Sequence, residues 1–227
     1  MPTVDLAETS LRELNASLHE LKADTNETDW TVLNPGGKHA VAVGLDAPVL
    51  VRIEGHVGYY CGGMNQQATI VVSGNAGVGV AENMMSGEVR VKGDASQSAG
   101  ATGQGGLLVV EGNASARCGI SMKGIDIVVK GSIGPMSAFM AQTGNLIVLG
   151  DAGEALGDSI YEARLFVRGA VKSLGADCIE KPIEPDDRAA LEAVLARAGV
   201  DAAVGDFRLY GSARRLYHFH VDNVDAY

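Results

Sequence analysis

The fold of this chain is decided by the stretch Leu108-Val109-Val110-Glu111-Gly112-Asn113-Ala114, which returns nineteen residues later as Ile127-Val128-Val129-Lys130-Gly131-Ser132-Ile133. The pattern of four strand-forming residues followed by a glycine occurs seven times at this constant spacing. A self-similarity of this period is typical of a solenoid, in which one small unit stacks on the next. The repeat glycines are Gly55, Gly74, Gly93, Gly112, Gly131, Gly150 and Gly169.

The four residues before each repeat glycine alternate as a half-buried strand does. The first and third are aliphatic in all seven repeats, and the fourth is mostly Glu, Lys or Arg. Because successive side chains of a strand point to opposite faces, the first and third rows are expected to face the interior. The residue after the glycine is small and polar in five repeats, as in Asn75 and Asp94. We interpret it as turn chemistry, since Asn and Asp tolerate positive φ.

Seven positions after each repeat glycine the residue is always Gly or Ala, which marks a corner where stacked backbones pass closely. A nineteen-residue unit of three short strands and three turns predicts an all-β protein, a single-stranded right-handed parallel β-helix of about seven coils. At about 4.8 Å per coil the rod would be about 34 Å long. The competing left-handed hexapeptide helix requires a six-residue period, and the sequence shows none.

Short helical arms are expected on both sides of the β-helix. The domain boundaries predicted from the sequence are 1–30 for the N-terminal helical arm, 31–182 for the β-helix, and 183–227 for a C-terminal helix with an aromatic tail. Pro185 is expected near the start of the C-terminal helix, and Gly199 is expected to end it. The N-terminal arm has four leucines at helical spacing: Leu11, Leu14, Leu18 and Leu21.

Composition narrows the functional classes. The formal net charge of −10 disfavours nucleic acid or an anionic membrane as a partner, and we expect a cytoplasmic protein. Cys61 and Cys118 are 57 residues apart, which is three coils or about 14 Å, too far for a disulfide. We therefore expect both to be buried structural thiols. His218 and His220 fit tail packing better than a metal site, since no further ligands lie near them in sequence.

Catalytic and cofactor motifs are weak in this chain. The run Gly74-Asn75-Ala76-Gly77-Val78-Gly79 resembles a phosphate-binding turn, but a strand and not a helix is due after it. We therefore interpret its glycines as corner residues. The sequence predicts no catalytic residues, no cofactor site and no metal site in this chain.

Two sets of positions are candidates for a partner interface. The second strand position is expected to face outward, yet it is apolar from the fourth of the seven strands onward, at Val109, Val128, Ile147 and Phe166. Such a stripe requires a cover, either one of the chain's own arms or another subunit. The second set lies eight to eleven positions after the repeat glycines, where five of the seven methionines cluster. Its candidate interface residues are Met84, Met85, Met122, Lys123, Phe139, Met140, Gln142 and Tyr161.

Three longer runs carry a family resemblance: Arg117-Cys118-Gly119-Ile120-Ser121-Met122-Lys123-Gly124, Met136-Ser137-Ala138-Phe139-Met140-Ala141-Gln142, and Gly157-Asp158-Ser159-Ile160-Tyr161-Glu162-Ala163-Arg164. With the repeat in register, residues 30–182 resemble the GXGXG domain of the glutamate synthase large subunit, a right-handed β-helix. The three runs are similar to the stand-alone version of that domain, the small β-helical subunit of N-methylglutamate synthase and its relatives.

This resemblance implies a complex that converts L-glutamate and methylamine into N-methyl-L-glutamate and ammonia. It implies two partners, an amidotransferase-like subunit of the class II glutaminase type and a synthase-like subunit that carries FMN and an iron-sulfur cluster. The β-helix of the family has no catalytic residues; it holds the two sites apart, and it is expected to line part of a path for the amine. Met1-Pro2 lacks the N-terminal cysteine of an amidotransferase, and no cysteine cluster suits iron and sulfur.

Three other readings remain open on the sequence alone. The chain is also compatible with the equivalent subunit of a glutamine-dependent glutamate synthase-type complex. The β-helical subunit of formylmethanofuran dehydrogenase shares this repeat and would bring molybdenum or tungsten instead of FMN. An independent acyltransferase-like β-helix enzyme is disfavoured by the missing six-residue period.

Overall fold

A computed structural model of the protein describes residues 2–214, so His218 and His220 and most of the aromatic tail lie outside the described residues. Within this range the chain is almost entirely β-structure with two short α-helices. The elements in chain order are β1 (Thr3–Asp5), α1 (Leu11–Glu20), β2 (Asp29–Leu33), β3 (Leu50–Glu54), β4 (Thr69–Val72), β5 (Glu88–Val91), β6 (Leu107–Val110), β7 (Lys123–Val129), β8 (Thr143–Val148), β9 (Arg164–Val167), β10 (Cys178–Lys181), α2 (Pro185–Ala198), a 3-10 turn (Val204–Asp206) and β11 (Arg208–Ser212).

The strands from β1 to β9 form one sheet in sequence order, each parallel to the next. From β3 to β9 the paired residues are nineteen apart, as in Val51↔Ile70 and Ile127↔Leu146, except for Lys123↔Thr143, where the register shifts. A second row of parallel bridges begins at Val57↔Ala76 and continues, one turn at a time, to Ala152↔Val171. The chain is therefore a parallel β-solenoid of about seven turns, consistent with the predicted right-handed β-helix.

The repeat glycines stack directly on one another. The Gly93 N–H donates to the Gly74 carbonyl at 3.1 Å, and the same bond repeats up to Gly169, whose N–H donates to Gly150. A Cβ built on Gly74 would lie 2.7 Å from the backbone carbon and oxygen of Gly55. Any larger residue would force adjacent turns apart, and this close approach explains the constant glycine.

The polar residue after each glycine acts differently from the sequence-based expectation. The residues at this position from Asn75 to Asp151 do not have positive φ. Instead, each side-chain oxygen accepts the backbone N–H of the equivalent residue one turn later, as in Asn75 Oδ1 with Asp94 N at 2.9 Å. The same bond repeats through Asp94, Asn113, Ser132 and Asp151, at 2.7 to 2.9 Å. The row therefore supplies hydrogen bonds between turns.

The interior consists of aliphatic layers, as predicted. The first and third of the four residues before each repeat glycine, from Val51 and Ile53 to Leu165 and Val167, are fully buried. Cys61 and Cys118 lie among them with no exposed surface. All three cysteines are free thiols. Helix α1 closes the N-terminal end with Leu14 and Leu18, and a capping box of Ser10 and Glu13 begins it.

The C-terminal arm returns to the sheet. Helix α2 begins at Pro185 and ends before Gly199, which has φ +68°, so both predicted boundaries are confirmed. Strand β11 then pairs antiparallel with β9, and β10 pairs antiparallel with β11. Proline adjoins both outermost strands, at Pro2 and Pro182, and proline is one of the residues that protect sheet edges from further pairing.

The boundaries between rod and arms are less simple than the three predicted segments. Strand β1 lies inside the segment assigned to the N-terminal helical arm, and β2 crosses its boundary at residue 30.

None of the helices in residues 2–214 is long and apolar enough to span a membrane.

Candidate interaction surface

The outward apolar stripe is covered by the chain itself. Val109, Val128, Ile147 and Phe166 have no exposed surface. They form a second core with residues of α2, the 3-10 turn and β11: Leu191, Val194, Leu195, Ala198, Val204, Phe207 and Leu209. The assignment of these four positions to a partner interface is therefore wrong, and the alternative of a folded-back arm is confirmed.

Polar contacts fix α2 at both ends. The guanidinium of Arg90 in β5 donates to the Ala198 carbonyl at 3.1 and 3.2 Å, which satisfies the last turn of the helix. At the other end Arg164 in β9 lies 3.6 Å from Asp187. A helix of fourteen residues is about 21 Å long, and the four strand spacings from β5 to β9 measure about 19 Å. Helix length and sheet width therefore match.

The methionine-rich segments divide by position. Met84 and Met122 lie ten positions after their repeat glycines and are fully buried. Their neighbours at position eleven, Met85 and Lys123, are exposed. The assignment of Met84 and Met122 to an interface is therefore wrong. Successive side chains alternate between the interior and the surface in this segment, and the side chain at position ten points to the interior.

The other candidate residues lie on one side of the solenoid. Positions eight, nine and eleven after the first six repeat glycines form what we call the corner face. Met85, Lys123, Met140, Gln142 and Tyr161 are exposed there, and Phe139 is half-buried. Of its eighteen residues only Glu82, Lys123 and Asp158 are charged. Few charges together with Met and Tyr are the composition of interface cores, so these six residues stay a predicted interface.

The backbone under the corner face has an unusual conformation. Alternate residues at positions five, seven and nine have left-handed φ angles, for example Tyr60 at +63°, Gly62 at +64° and Met64 at +53°. The pattern recurs in the next turns, including at alanines such as Ala81 and Ala138. A left-handed residue other than glycine costs about 1 kcal/mol. Hydrogen bonds between turns offset this cost, as in Met64 N to Glu82 O at 2.9 Å, and hold the face in one shape.

Sequence reasoning placed Met64 in the methionine-rich segments but did not select Tyr59 or Val78, two further large apolar residues of the first turns. Met64, Val78 and Tyr59 are each about half exposed. Tyr59 stacks on His39, with ring centroids 4.3 Å apart. The signal was present in the repeat, because Tyr59 and Val78 both lie four positions after a glycine and Met64 lies nine positions after one.

The thiols are poorly suited to chemistry. Burial raises the pKa of Cys61 and of Cys118 to about 12, and that of Cys178 to about 11. A thiol with such a pKa is almost entirely protonated near neutral pH, and the thiolate is the nucleophile and metal ligand. Within residues 2–214 no group of three or more His, Cys, Asp or Glu side chains is placed to hold a metal ion.

A polar groove of about 370 Å³ lies where the C-terminal arm meets the last turns. Tyr161 from the corner face lines it, together with Arg164, Lys181, Asp187 and Arg214. Arg214 pairs with Asp177, and Lys181 donates to the Ser212 carbonyl at 3.5 Å. Arg164, Lys181 and Arg214 therefore all have partners within the chain. We interpret the groove as the junction between the C-terminal arm and the solenoid, and not as a ligand site.

Comparison with known proteins gives one full-length relative. The chain is 63% identical over 228 residues to Protein GlxC of Rhizobium meliloti (strain 1021), and the match covers all of both chains. No family model matches the chain, and no solved structure matches it.

Proposed function

The chain belongs to the family of Protein GlxC, and we propose that it is the non-catalytic assembly subunit of a glutamate-synthase-like, multi-subunit flavoenzyme. The specific complex we propose is N-methylglutamate synthase, which forms N-methyl-L-glutamate and ammonia from L-glutamate and methylamine. In it the rod bridges an amidotransferase-like subunit and a synthase-like subunit that carries FMN and an iron-sulfur cluster. The complex is cytoplasmic, and the rod lines part of the amine path.

The open corner face is the observation that carries this proposal. The rod's other apolar stripe is covered by α2, whereas Met64, Met85, Met140 and Tyr161 remain exposed along the rod. A backbone held by hydrogen bonds in every turn gives a surface that changes little on binding. These are the properties required of a part that fixes the distance between two other subunits.

The state of the thiols and carboxylates within residues 2–214 supports a non-catalytic role. The two fully buried thiols are protonated near neutral pH, and several acidic side chains are engaged in ion pairs. Glu111, for example, contacts Arg90, Lys92 and Lys130. These thiols and paired carboxylates therefore contribute to the stability of the fold.

The test is reconstitution of the complex encoded with this chain. We expect the tagged chain to co-purify with two further subunits and FMN, and N-methylglutamate formation to require methylamine, L-glutamate and this chain. Met140→Asp on the corner face is expected to reduce co-purification at least tenfold, whereas Ala193→Asp, at an exposed position of α2, is expected to have no effect.

Three results would contradict the proposal in different ways. A chain that purifies alone from its native source would remove the assembly role. Activity with glutamine and without methylamine would favour a glutamate synthase-type complex. Molybdenum or tungsten in place of flavin would favour formylmethanofuran dehydrogenase.

A further inference from the structure

Glu82 is a carboxylate of the corner face without a charged partner. Within residues 2–214, no Lys, Arg or His nitrogen lies within 4 Å of it, and no donor bonds to it. The other acidic residue of the face, Asp158, accepts hydrogen bonds from the Ser159 hydroxyl and the Ala176 N–H. Glu82 is therefore exceptional among the carboxylates of this surface.

The Glu82 carboxylate lies against the backbone of its own turn. A Cβ built on Gly79 would lie 2.5 Å from Glu82 Oε2, so the carboxylate rests directly above that glycine. The Glu82 side chain is partly buried there, and this burial raises the pKa of its carboxyl above the usual value. An anion that has lost part of its hydration without gaining a partner is destabilising for the isolated chain.

Three large apolar residues lie close to Glu82, two of them within four residues of it in the chain and one on the adjoining turn. Met64, Val78 and Met85 are 45%, 47% and 44% exposed, although side chains of this kind are usually buried. They lie on two stacked turns that hydrogen bonds hold together. Met64 N donates to Glu82 O at 2.9 Å, and Tyr60 N donates to Val78 O at 2.8 Å.

One chemical class fits this arrangement. An arginine or lysine has an apolar stem that packs against thioether and aliphatic groups, and a cationic head that pairs with a carboxylate. Arginine is also enriched among the residues that dominate protein interfaces, at positions where neighbouring contacts exclude water. The net charge of −10 favours a basic partner surface as well.

We propose that Glu82, with Met64, Val78 and Met85, forms the anchoring site for one cationic side chain, preferentially arginine, of a partner polypeptide. This inference rests on the proposed function only in that a partner subunit exists. It adds the chemistry of the contact and its place on the first two turns of the solenoid.

The experiment uses the complex reconstituted from this chain and its co-purifying subunits. Affinity for the subunit that contacts the chain is measured by biolayer interferometry for wild type, Glu82→Gln and Glu82→Arg. The matched control is Glu192→Gln, which removes an exposed carboxylate from α2, away from the corner face. We expect Glu82→Gln to weaken binding at least tenfold, Glu82→Arg more strongly, and the control less than twofold.

Two further readouts separate this inference from a structural role and from the proposed function. Glu82→Gln is expected to leave the Tm of the isolated chain unchanged or raise it, because an unpaired carboxylate is removed. A lowered Tm, or affinities of both Glu82 variants equal to wild type, would overturn the inference and leave the assembly role intact. A chain with no partner subunit would overturn both.

Discussion

The two apolar regions on the outside of the solenoid differ in whether the chain itself covers them. The stripe through Val128 and Phe166 is buried under the chain's own helix α2, whereas the corner face with Met85 and Tyr161 is open. The stripe is apolar in every turn it crosses, and it would expose a continuous hydrophobic band without its cover. The corner face alternates large apolar residues with Gln, Ser and Thr, a mixture that water tolerates.

The difference shows that the arrangement of apolar residues on a surface, more than their number, indicates whether the chain's own arm or a partner covers that surface. A permanent intramolecular cover suits a dry and continuous stripe, because the arm is tethered and its loss of freedom is small. A surface that is exposed before assembly has to be soluble by itself, and isolated Met and Tyr residues satisfy that condition. Substitutions in the covered stripe and in the corner face test this difference.

The largest expected effect is at the covered stripe. Phe166→Ala is expected to lower the free energy of unfolding by about 3–5 kcal/mol, since a fully buried ring is lost and a cavity remains. Tyr161→Ala, five residues earlier and exposed, is expected to change it by no more than about 0.5 kcal/mol. Urea unfolding followed by circular dichroism measures both. Equal losses would mean that the open face is as important to the fold as the covered one.

The seven strands and the two helices could be predicted from sequence because each has its own local signal. The alternation in Val89-Arg90-Val91 indicates a strand and its inner face, and the spacing of Leu14 and Leu18 indicates an amphipathic helix. Strands β10 and β11 lie after the repeat has ended, so the pairing of β11 with β9 and of β10 with β11 depends on tertiary contacts that the sequence period does not indicate. Both features of β11, antiparallel direction and place between β9 and β10, follow from the return of the chain after α2.

The candidate interface was predicted in part, for a physical reason. The sequence showed that the row of Val109 required a cover, but the choice between an arm and a partner depends on whether α2 reaches the row. Met84 and Met85 are chemically identical neighbours, and only the left-handed corner backbone determines that the first faces inward. Glu82 shows no signal at all in sequence, because a missing partner is a property of the folded surface.

The next effect separates these two methionines. Met84→Ala is expected to cost about 2–4 kcal/mol of unfolding free energy, because a fully buried side chain leaves a cavity in the aliphatic core. Met85→Ala is expected to cost less than about 0.5 kcal/mol and to weaken partner binding instead. Mild peroxide oxidation with peptide mass spectrometry is an independent check, in which Met85 should form the sulfoxide well before Met84. Comparable oxidation rates would contradict the assignment of the rows.

A smaller effect is expected where α2 is attached to the sheet. Arg90→Ala removes two hydrogen bonds to the Ala198 carbonyl and the ion pairs with Glu88 and Glu111, and it is expected to cost about 1–2 kcal/mol. Arg52→Ala is a matched control on the same outward row, two turns earlier and beyond the end of α2. Arg52 lies 3.5 Å from Asp29 and is half exposed, so its loss should cost at most about 0.5 kcal/mol. Hydrogen exchange in the last turn of α2 should rise in the first variant alone.

The smallest effect depends on pH and concerns Glu111, which lies beside the C-terminal end of α2 through its contact with Arg90. Burial alone would raise the pKa of the Glu111 carboxyl, but hydrogen bonds from Lys130 and Arg90 and the charges of Lys130 and Lys92 outweigh it, so the pKa is lowered from 4.5. A carboxylate with a lowered pKa in the folded state stabilises the fold above its unfolded pKa, and this contribution is lost as the pH falls through the folded value.

Glu111→Gln is therefore expected to cost about 1 kcal/mol or less at pH 7, because the network is partly exposed to water and screened. The cost should shrink steadily below pH 4.5, where the carboxylate becomes protonated first in the unfolded chain and, at lower pH, in the folded protein as well. Urea unfolding at pH 7, 5 and 3.5 for both proteins measures the trend, with Glu192→Gln as the control that shows no comparable cost at pH 7. A cost that stayed constant down to pH 3.5 would mean that Glu111 supports the edge of the α2 cover by packing and not by its charge.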